Sequence, residues 1–272
     1  MPTMDDTETL AGRLSVRLGA LEIARVAVSG GVDSMTLALA AGRVLGERVQ
    51  MFHARSPAVP PVATARVEDV ARREGWDLHI VDAGELEDEA YLNNPYRRCF
   101  HCKRHLYTVL AAAGPGTLLS GTNTDDLGDF RPGLEAAAAF QVRHPFVESG
   151  IDKAGVRRIC RYLGFQELAE LPASPCLSSR IETGVRIQPR VLRFVDRVET
   201  ELRTGLPVQV VRCRVRSGEI AVQLDPADLS RLSDSTAADW ADRVRVLAEP
   251  LGLPARVRFE PYKMGSAFVP DH

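Results

Sequence analysis

The stretch Ser29-Gly30-Gly31-Val32-Asp33-Ser34 constrains the fold of this chain more than any other. It follows the apolar run Arg25-Val26-Ala27-Val28, which reads as a buried strand, and precedes Met35-Thr36-Leu37-Ala38-Leu39-Ala40-Ala41, which reads as a helix. Two glycines at such a turn let the backbone come close to an anion. The first N–H groups of the helix have no intrahelical partner and point at the same place. The Ser29 and Ser34 hydroxyls add donors. The stretch predicts a strand-to-helix turn that holds pyrophosphate. The pattern GxxxxGK[ST] is absent, so an ordinary P-loop is not supported.

The alternation around this turn sets the fold class. Residues 7–22 carry Leu10, Leu14, Leu18 and Leu21 at helical spacing. Val49-Gln50-Met51-Phe52-His53-Ala54 predicts a second strand, and the double proline of Ser56–Pro61 predicts a loop. A helix is expected over 62–75, a strand from Asp77 to Val81, a helix over Lys103–Ala113 and a fourth strand at Gly116–Gly121. Strands alternating with helices imply α/β architecture, a parallel sheet with helices on both faces. Ligands of such sheets bind beyond the carboxyl ends of the strands. Gly121-Thr122-Asn123-Thr124-Asp125-Asp126 starts at such an end, as Ser29–Ser34 does, so the two loops are expected to face one pocket.

After about residue 180 the pattern changes. Gln188–Thr204 predicts a helix with the stripe Val191, Phe194, Val195, Val198 and Leu202. Val208–Arg216 and Ile220–Leu224 alternate like strands, Ala237–Leu251 reads as a helix and Ala255–Phe259 as a strand. The expectation is one domain over 1–180 and a smaller α+β domain over 181–272.

Composition excludes several classes. A net charge of −2, from 34 basic and 36 acidic residues with no basic tract, argues against a nucleic-acid surface. No apolar run approaches the ~20 residues of a membrane span. Met1-Pro2-Thr3-Met4-Asp5-Asp6 lacks the features of a signal peptide, so a cytoplasmic protein is expected. Five cysteines in a chain of 272 residues fit thiols used for chemistry or metal better than disulfides. Cys160 and Cys213 sit inside apolar patterns and read as packing residues. Cys99-Phe100-His101-Cys102 is a CxxC pair, with Cys176 far down the chain. Two such cysteines can hold one metal or one edge of a cluster, or form a redox pair. Three thiolates and one open position suit a cluster with a reactive iron better than a closed zinc site.

Ser29–Ser34 resembles the PP-loop of the ATP pyrophosphatase superfamily, whose members split ATP into AMP and pyrophosphate and adenylate a substrate. Over nearly the whole chain the motifs resemble the LarE family of ATP-dependent sulfur transferases. They are Ser29–Ser34, Asn94-Pro95 to Cys99-x-x-Cys102-Lys103, Gly121-Thr122-Asn123-x-Asp125-Asp126, Arg131-Pro132-Gly133 and Cys176-Leu177-x-Ser179-Arg180-Ile181. Arg212-Cys213-Arg214-Val215-Arg216-x-Gly218 and Gly265-Ser266 fit more loosely. Where the family continues Arg-Ile-Pro-Tyr-Gly, this chain has Arg180-Ile181-Glu182-Thr183-Gly184.

The resemblance implies nickel-pincer cofactor biosynthesis. A carboxylate of a pyridinium dicarboxylate mononucleotide would be adenylated and become a thiocarboxylate. Ser29, Gly30, Gly31, Val32, Asp33, Ser34, Gly121, Thr122, Asn123, Asp125 and Arg131 would bind ATP, with Asp33, Asp125 and Asp126 on Mg²⁺ and Asp129 nearby. Lys153 is a further cation for the phosphates. Arg180 and some of Arg212, Arg214 and Arg216, which share one face of a strand, would hold the substrate phosphate. Two sulfur mechanisms occur in the family: a cysteine matching Cys176 that sacrifices its sulfur, and a [4Fe-4S] cluster on three cysteines that carries a transferable sulfide. Cys99, Cys102 and Cys176 favour the second, which calls for a sulfur donor. A homo-oligomer is expected. The alternatives are a tRNA thiolase, an amide-forming synthetase like those making NAD or GMP, and a nucleotide-binding sensor without turnover.

Overall fold

The computed structural model describes residues 4–128, 132–173 and 175–267. In chain order its elements begin α1 (Met4–Gly19), β1 (Ala24–Ala27), α2 (Val32–Leu45), β2 (Val49–Ala54), α3 (Pro61–Glu74), β3 (Leu78–Val81), α4 (Glu89–Leu92), α5 (Arg98–Ala112) and β4 (Thr117–Leu119). They continue α6 (Pro132–Ala139), α7 (Pro145–Glu148), α8 (Lys153–Tyr162), α9 (Gln166–Ala169), α10 (Pro189–Gly205), β5 (Val211–Val215), β6 (Ile220–Leu224), α11 (Pro226–Arg231), α12 (Asp234–Ala248) and β7 (Val257–Pro261). The chain divides into two compact units. The first holds Met1–Glu85 and Cys99–Ser174, the second Leu86–Arg98 and Pro175–His272.

The first unit is an α/β layer structure around an all-parallel sheet of order β3-β2-β1-β4. Successive strand residues point to opposite faces, and the registers Val26↔Met51 and Ala27↔Phe52 keep the faces apart. Val26 and Met51 join a core with Leu14 and Leu18 of α1, Met35 and Leu39 of α2, Val67 of α3 and Ile159 of α8. Ala27, Phe52 and Leu118 join another with Leu106, Tyr107 and Leu110 of α5 and Ala136 and Ala137 of α6. Right-handed crossovers from β1 through β2 to β3 put α2 and α3 on one face. The chain then returns past β1 to add β4, so α5 covers the other. The strand order reverses between β1 and β4, where such sheets open a ligand crevice at their carboxyl ends.

Two local expectations are corrected. Pro61 is not loop but the first residue of α3, with Pro60 as N-cap. A first-turn proline loses no hydrogen bond, because its missing N–H would have had no intrahelical partner. The CxxC pair lies not on a turn before a helix but on α5, which starts at Arg98.

The second unit carries a mixed sheet of order β5-β6-β7, with β5 antiparallel and β6 parallel to its neighbour. Every residue of β5 and β6 is buried. The apolar stripe of α10 packs against β5, and α12 packs against β7. The segment 86–98 is stitched into this unit by Asn94, which adopts φ 52°. Its amide nitrogen donates to the carbonyls of Glu182 at 2.8 Å and Val185 at 2.9 Å. The Tyr91 hydroxyl lies 2.6 Å from the Ser178 hydroxyl. No helix of the described residues is long and apolar enough to cross a membrane.

Candidate functional site

The turn after β1 combines two glycines, two serine hydroxyls and an uncapped helix start. Gly30 has φ 81°, and a Cβ there would lie 2.7 Å from the Ala63 carbonyl oxygen of α3. Glycine is therefore required on two counts. Gly31 is the N-cap of α2 in extended conformation, and no side chain caps the helix. The first free N–H groups of this 14-residue helix thus remain available to an anion. The Ser29 N–H donates to the Ser34 hydroxyl at 3.0 Å, and the two hydroxyl oxygens are 3.0 Å apart, which fixes both beside the turn. Val32 is buried and anchors the first turn to the core.

The loop after β4 closes onto the same turn. Gly121 sits directly against the backbone of Asp33 and Ser34. Asn123 donates to Asp33 Oδ1 at 3.3 Å, and Lys153 Nζ, at the start of α8, donates to Asp33 Oδ2 at 2.5 Å. Asp125 accepts from the Lys153 backbone N–H at 3.3 Å, and Asp126 from that of Asn123 at 3.0 Å. Thr122 Oγ1 lies 3.1 Å from the Ser120 hydroxyl, which lies 2.8 Å from His144 Nδ1. Burial lowers the pKa of His144, against the pull of Glu148 and Asp126. Ser29–Ser34, Gly121, Asn123, Asp125, Asp126 and Lys153 therefore gather at one end of the sheet. Asp129 and Arg131 lie outside the described residues.

Two residues at this place escaped the sequence reading. His53, at the end of β2, is fully buried. It bonds the Val28 carbonyl through Nδ1 at 2.8 Å and Thr64 through Nε2 at 2.9 Å. The carbonyl can only accept, so Nδ1 carries a proton, and burial lowers the pKa of the ring. Arg66 of α3 donates to the Gly30 carbonyl at 2.7 Å. Neither lies in a glycine-rich or acidic motif, so only the parallel sheet, which sets β2 and α3 beside β1, reveals them.

In the second unit Cys176 is exposed and caps a short helical turn, Leu177–Arg180. Arg180 does not face solvent. Both it and Glu199 of α10 keep only 2% side-chain exposure, and Arg180 donates to Glu199 at 2.9 and 3.1 Å. Its remaining nitrogen reaches the carbonyls of Pro175 at 2.7 Å and Cys176 at 3.2 Å. Glu199 also accepts the Cys213 N–H at 3.0 Å. The cysteine turn is thus bolted to α10 and β5 by one buried ion pair. An acid inside the Val195–Val198–Leu202 stripe was the sequence signal for it.

The β5 arginines divide. Arg212 and Arg214 are buried, and burial lowers both, Arg214 to about 10, with Arg180 adding to the effect. Arg214 donates to Gln223 at 2.9 Å and to the Ser179 carbonyl at 2.7 Å. Arg212 lies 5.7 Å from the Tyr262 ring. Arg216, on the same strand face, is instead engaged by Glu219 at 2.7 Å and Glu260 at 2.6 Å. Arg180, Arg212 and Arg214 thus lie around a single buried carboxylate, Glu199, a cationic excess that suits a phosphate.

The five cysteines divide as the sequence predicts for packing. Cys160 and Cys213 are buried, and burial pushes both thiols up. Cys99 and Cys102 are partly exposed and lie three residues apart on α5, hence on one helix face. They belong to the first unit and Cys176 to the second. Among the described residues no three His, Cys, Asp or Glu side chains gather into a metal site.

No family model matches the chain. An uncharacterized protein of Synechocystis sp. is 36% identical over 217 residues, 78% of this chain and 80% of that protein. The chain belongs to the family of that protein. An uncharacterized protein of Methanocaldococcus jannaschii is 25% identical over 211 residues, 76% of this chain and 79% of that protein. Pyridinium-3,5-bisthiocarboxylic acid mononucleotide synthase of Lactiplantibacillus plantarum is 27% identical over 251 residues, 90% of this chain and 88% of that enzyme.

Proposed function

We propose that the protein is an ATP-dependent sulfur transferase that adenylates a carboxylate of a pyridinium dicarboxylate mononucleotide and converts it to a thiocarboxylate. The observation that carries the reading is the uncapped α2 N-terminus at the β1/β4 switch point, overlaid by Gly121 and flanked by Asp33 and Lys153. The similarity to the Lactiplantibacillus synthase along 90% of the chain supports the substrate class.

A carboxylate is a poor acyl donor because oxide would have to leave. Its oxygen attacks the α-phosphorus of ATP, the bond to the β-phosphate bridging oxygen breaks, and pyrophosphate departs into the Ser29–Ser34 cradle. A sulfur nucleophile then attacks the acyl carbon and expels AMP. Mg²⁺ characteristically takes one or two carboxylates and fills its sphere with phosphate oxygens and water. Asp33 with Asp125 or Asp126 suffices for that without a preformed three-acid cage. Arg212 and Arg214 hold the mononucleotide phosphate. Arg180 acts through position, keeping the Cys176 turn in place.

The donor set fits an iron–sulfur cluster by chemistry: an accessible pair of thiols one helical turn apart and a third exposed thiol, with both remaining cysteines buried. Bound to Cys99, Cys102 and Cys176, a [4Fe-4S] cluster would supply the transferable sulfide. The test is anaerobic incubation of the purified protein with ATP, Mg²⁺ and pyridinium-3,5-biscarboxylic acid mononucleotide. AMP, pyrophosphate and a thiocarboxylate should appear together. Pyrophosphate release that ignores the mononucleotide, or responds to tRNA instead, overturns the reading.

A further inference from the structure

We propose that Arg66 is a further phosphate-binding residue of the nucleotide site, donating its remaining guanidinium N–H groups to the pyrophosphate portion of ATP. The inference rests on the reading of Ser29–Ser34 as the phosphate cradle and adds a residue that no motif contains.

Two independent pieces of geometry put Arg66 there. The first turn of α3 touches the cradle, since a Cβ on Gly30 would lie 2.7 Å from the Ala63 carbonyl oxygen and 3.0 Å from the Ala63 Cβ. Arg66 follows Ala63 by three residues, and helical side chains lean toward the helix N-terminus, back over the preceding turn. Its Nη1 duly reaches the Gly30 carbonyl at 2.7 Å. That bond uses one of five guanidinium donors.

The charge of Arg66 is also unmatched. Several arginines of this unit pair with an acid: Arg43 with Glu74, Arg72 with Asp69, Arg143 with Glu148 and Arg161 with Glu170. Arg66 is half-buried and pairs with no carboxylate among the described residues. Burial alone lowers its pKa, with no acid opposing the effect. A desolvated guanidinium without a counterion, held by the main chain of an anion cradle, is completed by an anion that the cradle binds. Its planar fork suits two phosphoryl oxygens. Lys153 differs, because its ammonium is engaged by Asp33 at 2.5 Å. Arg66 therefore brings net positive charge to the cradle, whereas Lys153 arrives already paired.

The test is calorimetric titration of wild type, Arg66→Gln and Arg66→Lys with inorganic pyrophosphate and, separately, with AMP. Arg66→Gln should weaken pyrophosphate binding about tenfold to a hundredfold, the usual range for a charge-assisted hydrogen bond, and leave AMP unchanged. Arg66→Lys, which keeps the charge but not the fork, should recover part of the loss. Unchanged pyrophosphate affinity in Arg66→Gln overturns the proposal. So does an equal loss for both ligands, because Arg66 would then merely brace the Gly30 turn. Failure of wild type to bind either ligand overturns the underlying reading of the cradle together with it.

Discussion

Gly121 meets Ser34 so closely that a Cβ on Gly121 would lie 2.7 Å from the Ser34 backbone nitrogen. The contact joins the exit of β4 to the first turn of α2 across the β1/β4 switch point. Backbone on both sides leaves no flexible side chain to yield, so Gly121→Ala must push the two loops apart. Overpacking of this kind costs about 1–3 kcal/mol. The variant should lose that much in urea unfolding, and its ATP-dependent pyrophosphate release should fall by more than the change in folded fraction explains. Full activity would show that the two loops do not form one site.

Glu199 predicts a different separation of effects. Its partner Arg180 is as deeply buried as Glu199 itself, so removing Glu199 leaves the Arg180 guanidinium without its carboxylate in the core of the second unit. Breaking such a pair costs about 3–5 kcal/mol, whereas replacing both partners by apolar residues is often neutral. Glu199→Gln should be strongly destabilised, and Arg180→Met with Glu199→Leu should recover only part of the loss, because Arg212 and Arg214 also face Glu199. The double variant should nonetheless change the alkylation rate of Cys176, because the bonds from Arg180 to the Pro175 and Cys176 carbonyls are gone. An unchanged rate in a well-folded double variant would mean that the cysteine turn holds itself.

The α/β half of the fold was legible because its signals are local. A fully buried parallel strand is a short apolar run, and β1, β2 and β4 all read that way. The Gly30 turn was legible because glycine is required there. The segment 86–98 was not readable as part of the second unit. Its helix α4 is four residues long, and its hold depends on Asn94 reaching backbone carbonyls about ninety residues away. Arg66 escaped for the same reason, since its partner is the carbonyl of a distant glycine rather than a complementary side chain. Cys99 and Cys102 were legible as a pair but not as helical, because the residues before them show no helical periodicity.

His53 predicts how stability responds to acid. Burial lowers its pKa below the ordinary 6.5, with Arg55 acting the same way, while the Val28 carbonyl and Glu68 pull back. Below 6.5 the unfolded chain takes up a proton that the native ring does not bind until its lowered value is reached. Stability should therefore fall as pH drops through that window, by up to ~1.4 kcal/mol per pH unit for each such group. His144 acts in the same direction. His53→Gln can still donate to Val28 and accept from Thr64 but does not titrate. Urea unfolding at neutral and at mildly acidic pH should show a smaller acid loss for His53→Gln than for wild type. Equal losses would place the acid sensitivity elsewhere.

The cysteines decide how sulfur is delivered. If Cys176 surrendered its own sulfur, one turnover would convert it to dehydroalanine and lower the chain mass by ~34 Da, the mass of H₂S eliminated from a cysteine. Cys99→Ala and Cys102→Ala would then keep that single turnover. Under the cluster reading the mass of the chain is constant, and each of Cys99→Ala, Cys102→Ala and Cys176→Ala abolishes thiocarboxylate formation, because all three thiolates are needed to leave one iron open. Adenylation should survive in all three variants, since none of the cysteines belongs to the Ser29–Ser34 cradle. The expected pattern is therefore pyrophosphate release without sulfur transfer, together with loss of iron and acid-labile sulfide from anaerobically purified variants. Cys160→Ala provides the control: that thiol is buried and hydrogen-bonded to the Phe165 carbonyl at 3.4 Å, so its loss should lower stability but leave iron content and sulfur transfer intact. Dehydroalanine at position 176 after reaction would overturn the cluster reading and make the protein a single-use sulfur donor.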